Sequence, residues 1–444
     1  MKIIYRLEIT IMKTAILSNE IIQKLQAIVS PAFLFLDEET RNAYGHDETE
    51  DYVFPPSVVL KPGSVEEISE IMKVAFQYEI PVTPIGGRTG LSGGALSIHG
   101  GIGLSMDRFN KILHIDEQNL QVTVEPGVVT QTLQEAVLEK SLFYPPDPSS
   151  RGSCFIGGNV AENAGGARAV KYGVTKDYVL NLEVVLPNGD IIWTGANTLK
   201  NSTGYNLTQL MVGSEGTLGI ITKIVMKLLP KNNHNILMLV PFFNASQACE
   251  AVAKIFKAGI TPSALEFMER DAIDWTLRFV DGVSLTIKDE VQAHLLIEVD
   301  GNYPDVLFSE AEKITEVLEQ FDIDEILFAD SEDQKNALWK LRRAVGEAVK
   351  ANSIYKEEDT VVPRYELPKL LEGIKSIGNK YGFKSVCYGH AGDGNLHVNI
   401  VKGEMSDEDW TTEIPKGIRK IFELTVALKG TLSGEHGIGY VQKN

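Results

Sequence analysis

The chain lacks what a cross-linked, membrane-spanning or nucleic-acid-binding protein needs. Three cysteines occur in 444 residues, Cys154, Cys249 and Cys387, with no CxxC spacing. They build neither a disulfide framework nor an iron–sulfur cluster, so a reducing cytoplasm is the expected location. No apolar run reaches the roughly 18 residues that a membrane-spanning helix requires, so no transmembrane segment is expected. Any membrane contact is expected to be peripheral, at the inner face and through a partner. The start, MKIIYRLEITIM, sets Lys2, Arg6 and Glu8 inside its apolar residues and has no secretory h-region. Met12 is an alternative start, and the first eleven residues are uninformative. Basic residues are outnumbered: 42 Lys and Arg against 60 Asp and Glu leave a net charge of −18. That field repels phosphate backbones and argues against nucleic-acid binding. The fingerprints GxGxxG and GxxxxGK[ST] are also absent.

What remains is a globular composition, 43% hydrophobic and 23% charged, with length for two or three domains at about 150 residues each. Glycine is unevenly spread, with 21 of the 39 between Gly86 and Gly219. Ahead of that region, PPSVVLKPGSVEEISEIMKVAFQYEIPVTPI reads as strand, helix, strand. Val58 to Leu60 form the first strand, Ser64 caps the helix with Glu67 three residues on, and apolar residues at 68, 71, 72 and 75 make its buried stripe.

Three glycine clusters follow: Gly86 to Gly94, Gly152 to Gly166 after the stiff turn Pro145-Pro146-Asp147-Pro148, and Gly213 to Gly219 before the apolar strand IITKIVMKLL. Glycine lets a backbone take positive φ and aim several N–H groups at one anion. Each cluster alone could be an ordinary turn. Three around one sheet suggest a long ligand approached by the backbone at several points, and a dinucleotide has that shape.

The sharpest local motif is Cys387-Tyr-Gly-His390-Ala-Gly-Asp393-Gly394-Asn-Leu-His397-Val-Asn-Ile400. Asp-Gly between alternating runs predicts a two-residue hairpin turn. His390 then faces His397 directly, with Cβ atoms about 4.5 to 5.5 Å apart. Alternation predicts Tyr388, His390, His397 and Asn399 on one face, and Cys387, Ala391, Leu396, Val398 and Ile400 on the other. A single buried histidine is more often a satisfied core residue than a ligand, but two facing imidazoles gain most by sharing a metal. After a helical pattern from Ile418 to Leu428 comes Ser433-Gly434-Glu435-His436-Gly437. Glu435 would complete a two-histidine, one-carboxylate site with open positions, and His436 would be free to act as a base. Upstream, Leu338, Leu341 and Val345 mark a helix with Arg342 beside its apolar stripe. That arginine reads either as a carboxylate clamp or as part of a solvated basic helix.

The motifs PVTPIGGRTGLSGGA, YPPDPSSRGSCFIGGNVAENAGGARAVKYGVTKDYV, GYNLTQLMVGSEGTLGII, YGHAGDGNLHVNI and SGEHGIG together resemble those of the FAD-linked 2-hydroxy-acid oxidoreductases. That group includes the glycolate oxidase flavoprotein subunit, D-lactate dehydrogenase and D-2-hydroxyglutarate dehydrogenase. The resemblance implies an α+β fold: an N-terminal helical segment over 1–54, an FAD-binding domain of the vanillyl-alcohol oxidase (PCMH) type over 55–234, and a substrate domain over 235–444 with an antiparallel sheet flanked by helices. Relatives usually continue past the Glu-His loop, so the C-terminal end reads as truncated.

By that resemblance FAD is bound non-covalently, since 86–94 contains no histidine. The implied FAD contacts are Ile85, Gly86, Gly87, Thr89, Gly90, Leu91, Gly93, Asp147, Ser153, Gly157, Gly158, Asn163, Gly166, Glu215, Gly219 and Ile220. His390, His397 and Glu435 are the implied ligands of a divalent metal, zinc. His436 is the implied base, and Arg342 and Lys356 the implied holders of the substrate carboxylate. The implied reaction oxidises a small D-2-hydroxy acid to the 2-oxo acid. Its electrons pass to an external acceptor: an iron–sulfur subunit, a quinone, a cytochrome or electron-transfer flavoprotein. An oligomer is compatible with this reading. The alternative is a non-catalytic flavin-binding subunit of a larger oxidase complex.

Overall fold

The strand–helix unit forms as its pattern predicts. Strand Val58–Leu60 is fully buried, and helix Val65–Gln77 starts at Ser64, whose side chain accepts from Glu67 N. The helix buries Ile68, Ile71, Met72 and Ala75, and helix Asn19–Val29 packs Leu25 and Val29 into the same cluster. The computed structural model describes residues 17–49 and 52–443. The first eleven residues, the alternative start at Met12, part of the expected N-terminal helical segment, and Asn444 lie outside the described residues.

Two larger sheets and a two-stranded one, Leu142–Phe143 with Leu229–Pro230, make up the glycine-rich half among the described residues. In the first, the buried strand Val58–Leu60 and the partly exposed strand Val82–Ile85 both run parallel to Ile102–Ser105. The second is antiparallel, in the spatial order Ile112–Asp116, Gln121–Val124, Ile220–Lys227, Val179–Val185, Ile191–Trp193. Both sheets lead strand ends into the glycine loops.

The other half is a seven-stranded antiparallel sheet with strands Leu327–Phe328, His234–Phe242, Ala293–Gly301, Ala264–Glu269, Lys384–Gly389, Asn395–Val401 and Tyr355–Val361 in that spatial order. One face carries the apolar residues expected of it, Cys387, Leu396, Val398 and Ile400. It packs on helices Ala245–Lys257, Pro304–Leu318, Leu367–Tyr381 and Ile414–Ala427. The other face is crossed by Glu332–Arg343 and Val345–Asn352, which bury Leu338, Trp339, Val345 and Val349. Among the described residues the architecture is α+β, with mixed and antiparallel sheets.

The hairpin differs from expectation. Tyr388, not His390, is the cross-strand partner of His397, and Cys387 faces Val398. Asp393 and Gly394 do not form a two-residue turn. Residues Ala391–Asp393 make one 3-10 turn, closed by Asp393 N and Asn395 N donating to His390 O, with Gly394 left-handed at φ 78°. The pairing slips by an even number of residues, so every side chain keeps its predicted face. His390 lies just beyond the strand end, and its ring still comes within 5.5 Å of the His397 ring.

Candidate active site

Three neighbouring strands aim polar groups at one point. Asn395–Val401 presents His397, the adjacent strand Tyr355–Val361 sets Asp359 opposite it, and Lys384–Gly389 sets Tyr388 opposite it on the other side. The turn after helix Ile414–Ala427 brings up Glu435 and His436. Glu435 Oε1 lies 3.1 Å from His390 Nε2 and 3.7 Å from His397 Nε2. The three donor atoms lie within 4.8 Å of one another, close enough for one cation to bridge. Glu357, His397 and His436 meet the same spacing, and the rings of His397 and His436 stack at 5.2 Å.

Behind His390 stands Glu266, fully buried, with both oxygens 2.9 Å from His390 Nδ1 and Oε2 2.6 Å from Arg342 Nη2. Arg342 is therefore not on a solvated basic face; it is 3% exposed. A carboxylate on the outer nitrogen of a ligating imidazole is the arrangement that orients histidines toward metals.

Burial would make His390 harder to charge, but Glu266 and Glu435 on either side hold it well above its ordinary value. Burial pushes His397 the other way, to about 3, helped by the neighbouring His436 and His390 and opposed by Asp359. Burial raises Glu435, yet His390 outweighs it and brings the carboxyl to about 2. His436 rises above its usual range because the carboxylates of Asp359, Glu357 and Glu435 overcome its desolvation. Two imidazole nitrogens and a carboxylate oxygen form a donor set that suits zinc and related divalent cations.

His397, Glu435 and His436 border a cavity of about 530 Å³ that also runs along the glycine loops, while His390, the third expected ligand, stands behind Glu435 and does not line it. Of the residues expected to contact the cofactor, Ile85, Gly86, Gly87, Thr89, Gly90, Leu91, Ser153, Gly157, Gly158, Glu215, Gly219 and Ile220 line it. At Gly90 and Gly158 a Cβ would meet nothing within 4 Å, which leaves the backbone open to a ligand; at Gly87 it would come 2.6 Å from Ser153 O. Pro84, Met106, Phe155 and Ile221 supply apolar wall, and Asp47 Oδ2 and Glu162 Oε2 are buried acceptors without a protein partner. Burial and the facing Glu215 raise Glu162 to about 8. A long, partly apolar molecule with hydroxyl and phosphate groups fits this lining.

Four expected cofactor contacts and one substrate contact do not line the cavity. Asp147 is held by Arg151 and Arg343 at 3.0 and 3.2 Å. Asn163 ends helix Ile156–Glu162 in a left-handed conformation, and its side chain accepts from Lys176 N. Gly166 closes against Asp147 O, and Gly93 against Leu96, Tyr440 and Val441. All four are frame residues. Lys356 is paired with Ile400 on the helix-covered face, and the cavity-facing neighbours on that strand are Tyr355 and Glu357.

Sequence reading missed Glu266, Glu357, Asp359 and Glu162. Their signal is faint, a single acid inside an otherwise apolar or charged strand or helix, as in Ala264-Leu-Glu266-Phe-Met268.

The C-terminal segment joins the two halves. Ile438 N and Gly439 N donate to the two oxygens of Glu215 at 3.1 and 2.8 Å, and Tyr440 N and Val441 N donate to Ser92 O at 2.9 and 3.1 Å. The turn that bears Glu435 and His436 is thereby tied to two of the glycine loops.

Comparison with known proteins agrees with this geometry. Residues 56–195 match the model of an FAD binding domain, and residues 231–444 that of the FAD linked oxidases, C-terminal domain. The chain is 40% identical over 402 residues to the glycolate oxidase subunit GlcD of Bacillus subtilis (strain 168), covering 90% of this chain and 84% of that one. It is 38% identical over 427 residues to a D-lactate dehydrogenase of Anaerostipes hadrus, covering 95% and 89%. The fold is similar to that of p-cresol methylhydroxylase with substrate bound, with a TM-score of 0.73 at 16% identity over 96% of this chain and 91% of the other.

Proposed function

The chain belongs to the FAD-linked 2-hydroxy-acid oxidoreductases, and from that premise we propose that this FAD-dependent enzyme oxidises a small D-2-hydroxy acid to the 2-oxo acid with help from a divalent cation. The glycine loops within 55–234 would hold FAD non-covalently, and 235–444 would hold substrate and cation. His390, His397 and Glu435 are the proposed ligands, with zinc the metal their donor types suit. When bound, FAD supplies a two-electron acceptor and the cation polarises the substrate hydroxyl. Arg342 orients the substrate carboxylate. His436, whose imidazolium is favoured by the surrounding carboxylates, takes the hydroxyl proton.

The observation that supports this best is convergence: His436, Arg342, His397 and Glu435 border the same cavity as Gly86 to Gly90, Gly157 and Gly158. A similarity to a protein described as a subunit supports electron delivery to a partner. An iron–sulfur subunit, a quinone, a cytochrome or electron-transfer flavoprotein would each serve, since no cysteine pair within the chain can hold a cluster.

Anaerobic mixing with a panel of D- and L-2-hydroxy acids is expected to bleach the flavin band near 450 nm for at least one D-acid and to leave it unchanged with the L-enantiomer. Prior dialysis against EDTA is expected to slow that bleaching, with recovery on adding zinc. Bleaching that is equally fast after dialysis removes the cation from the reaction. No bleaching by any acid removes the substrate class.

A further inference from the structure

Asp359 sits within strand Tyr355–Val361, fully buried and paired across the sheet with His397. A buried carboxylate without donors costs several kcal/mol, on the order of its desolvation, and this one is thoroughly supplied. Oδ2 accepts from Ser433 Oγ at 3.0 Å and from the backbone N–H groups of Gly434, Glu435 and His436 at 2.8, 2.8 and 3.0 Å. Oδ1 accepts from Asn395 Nδ2 at 2.6 Å. Three successive N–H groups turned onto one oxygen form an anion nest, here filled by the protein's own carboxylate.

Gly434 permits the approach, because a Cβ there would lie 2.6 Å from Val361 Cγ2 and 2.7 Å from Asn395 Nδ2. On its other side the same carboxylate meets the histidines. His397 Nδ1, buried and without a hydrogen-bond partner, is 3.7 Å from Oδ1 and 3.4 Å from Glu357 Oε1, so the two carboxylates share it, and His436 Nδ1 is 4.0 Å from Oδ2.

We propose that Asp359 is the positioning residue of the site: one buried carboxylate fixes the 433–436 turn so that Glu435 and His436 are presented together, and faces His397 Nδ1 so that Nε2 points at the cation. The role rests on the reading of His390, His397 and Glu435 as cation ligands. Packing alone would hold a turn anywhere near this place. Three N–H bonds to one oxygen fix the turn's rotation, and so the direction in which both side chains leave it.

The test is Asp359→Asn in the FAD-loaded protein. The new amide would meet Asn395 Nδ2; turning Asn395 over offers its unpartnered Oδ1 as acceptor, at the loss of the 3.3 Å bond from Asn395 Nδ2 to Thr360 O. Cobalt(II) titration, followed by its d–d absorption, is expected to show affinity weaker by about 10- to 100-fold, with the flavin absorption retained. Amide exchange of the peptide spanning 433–437 is expected to accelerate. Parental cobalt affinity together with parental exchange protection overturns the proposal. If the parent takes up no cobalt, the cation reading falls, and exchange alone decides positioning: faster exchange upholds it and unchanged exchange overturns it. If Asp359→Asn does not fold, Ser433→Ala deletes one donor, and the bond Ser433 Oγ accepts from Gly437 N, while keeping the carboxylate. The same two readouts are then expected to shift in the same direction by a smaller factor, and no shift overturns the proposal.

Discussion

Glu266 stands between the Arg342 guanidinium and the His390 imidazole in a place water does not reach. Arg342 therefore has a fixed inner partner, and its Nε, buried and without a hydrogen-bond partner, remains to be used. If it meets the substrate carboxylate, Arg342→Met should raise KM for every 2-hydroxy acid by about 10- to 150-fold, the equivalent of one charged hydrogen bond lost. Steady-state kinetics at saturating acceptor decide it; an unchanged KM removes the clamp. For His436→Ala, kcat is expected to fall by about 10² to 10⁴ with FAD content retained, and a parental kcat would deny it the proton. The place of His436 was legible because it sits in a long, distinctive motif, whereas Arg342 lies outside the motifs and was marked only by an apolar stripe beside it. Glu266 and Asp359 were not legible, because other acids share their strands and what singles each out is a partner far away in sequence.

At the level of elements, strand periodicity decides which side chains reach the cavity. The hairpin carrying His390 and His397 pairs two residues away from the predicted alignment, an even slip that leaves the polar and apolar faces intact. Lys356, expected from the family resemblance, sits one position from Glu357, and an odd step along a strand exchanges the faces, so Glu357 and not Lys356 lines the cavity. The helices were read correctly from apolar spacing and caps, whereas the turn chemistry of Asp393-Gly394 depended on a 3-10 turn that local sequence does not announce. The connection from Glu215 to Ile438 and Gly439 is also an element-scale device. Glu215→Ala removes two acceptors for backbone donors, and the chain is expected to become sensitive to limited proteolysis after His436 and to lose flavin faster on dilution. Parental values for both would reduce that contact to packing.

For the molecule as a whole, acid stability offers a check on the large sheet. His294 lies in the interior strand Ala293–Gly301, 1% exposed, with Nδ1 unpartnered. Burial, seconded by Arg270, lowers it to about 4 from 6.5. The unfolded chain therefore binds a proton there between pH 6.5 and 4 that the folded chain refuses, and stability must fall as pH falls through that window. Between pH 7 and 5 the loss from this group is about 2 kcal/mol. His294→Leu should flatten the denaturant midpoint over that interval relative to the parent, and parallel curves would show that the histidine is hydrated or paired in solution. The net charge of −18 bears on the choice of partner, since an acceptor with a basic docking face would meet this chain faster at low salt than at high.

The clasp formed by residues 438–441 on Ser92 and Glu215 has a consequence for biosynthesis. Its two sides lie 223 or more residues apart in sequence, so on the ribosome the first glycine loop must wait, unclasped, until residues 438–441 have emerged. Contacts of such long sequence separation form late and slowly. A pulse-labelled nascent chain should accordingly capture its flavin only once residue 441 has cleared the exit tunnel, and a chaperone that shields the waiting loop would raise the yield of coloured protein.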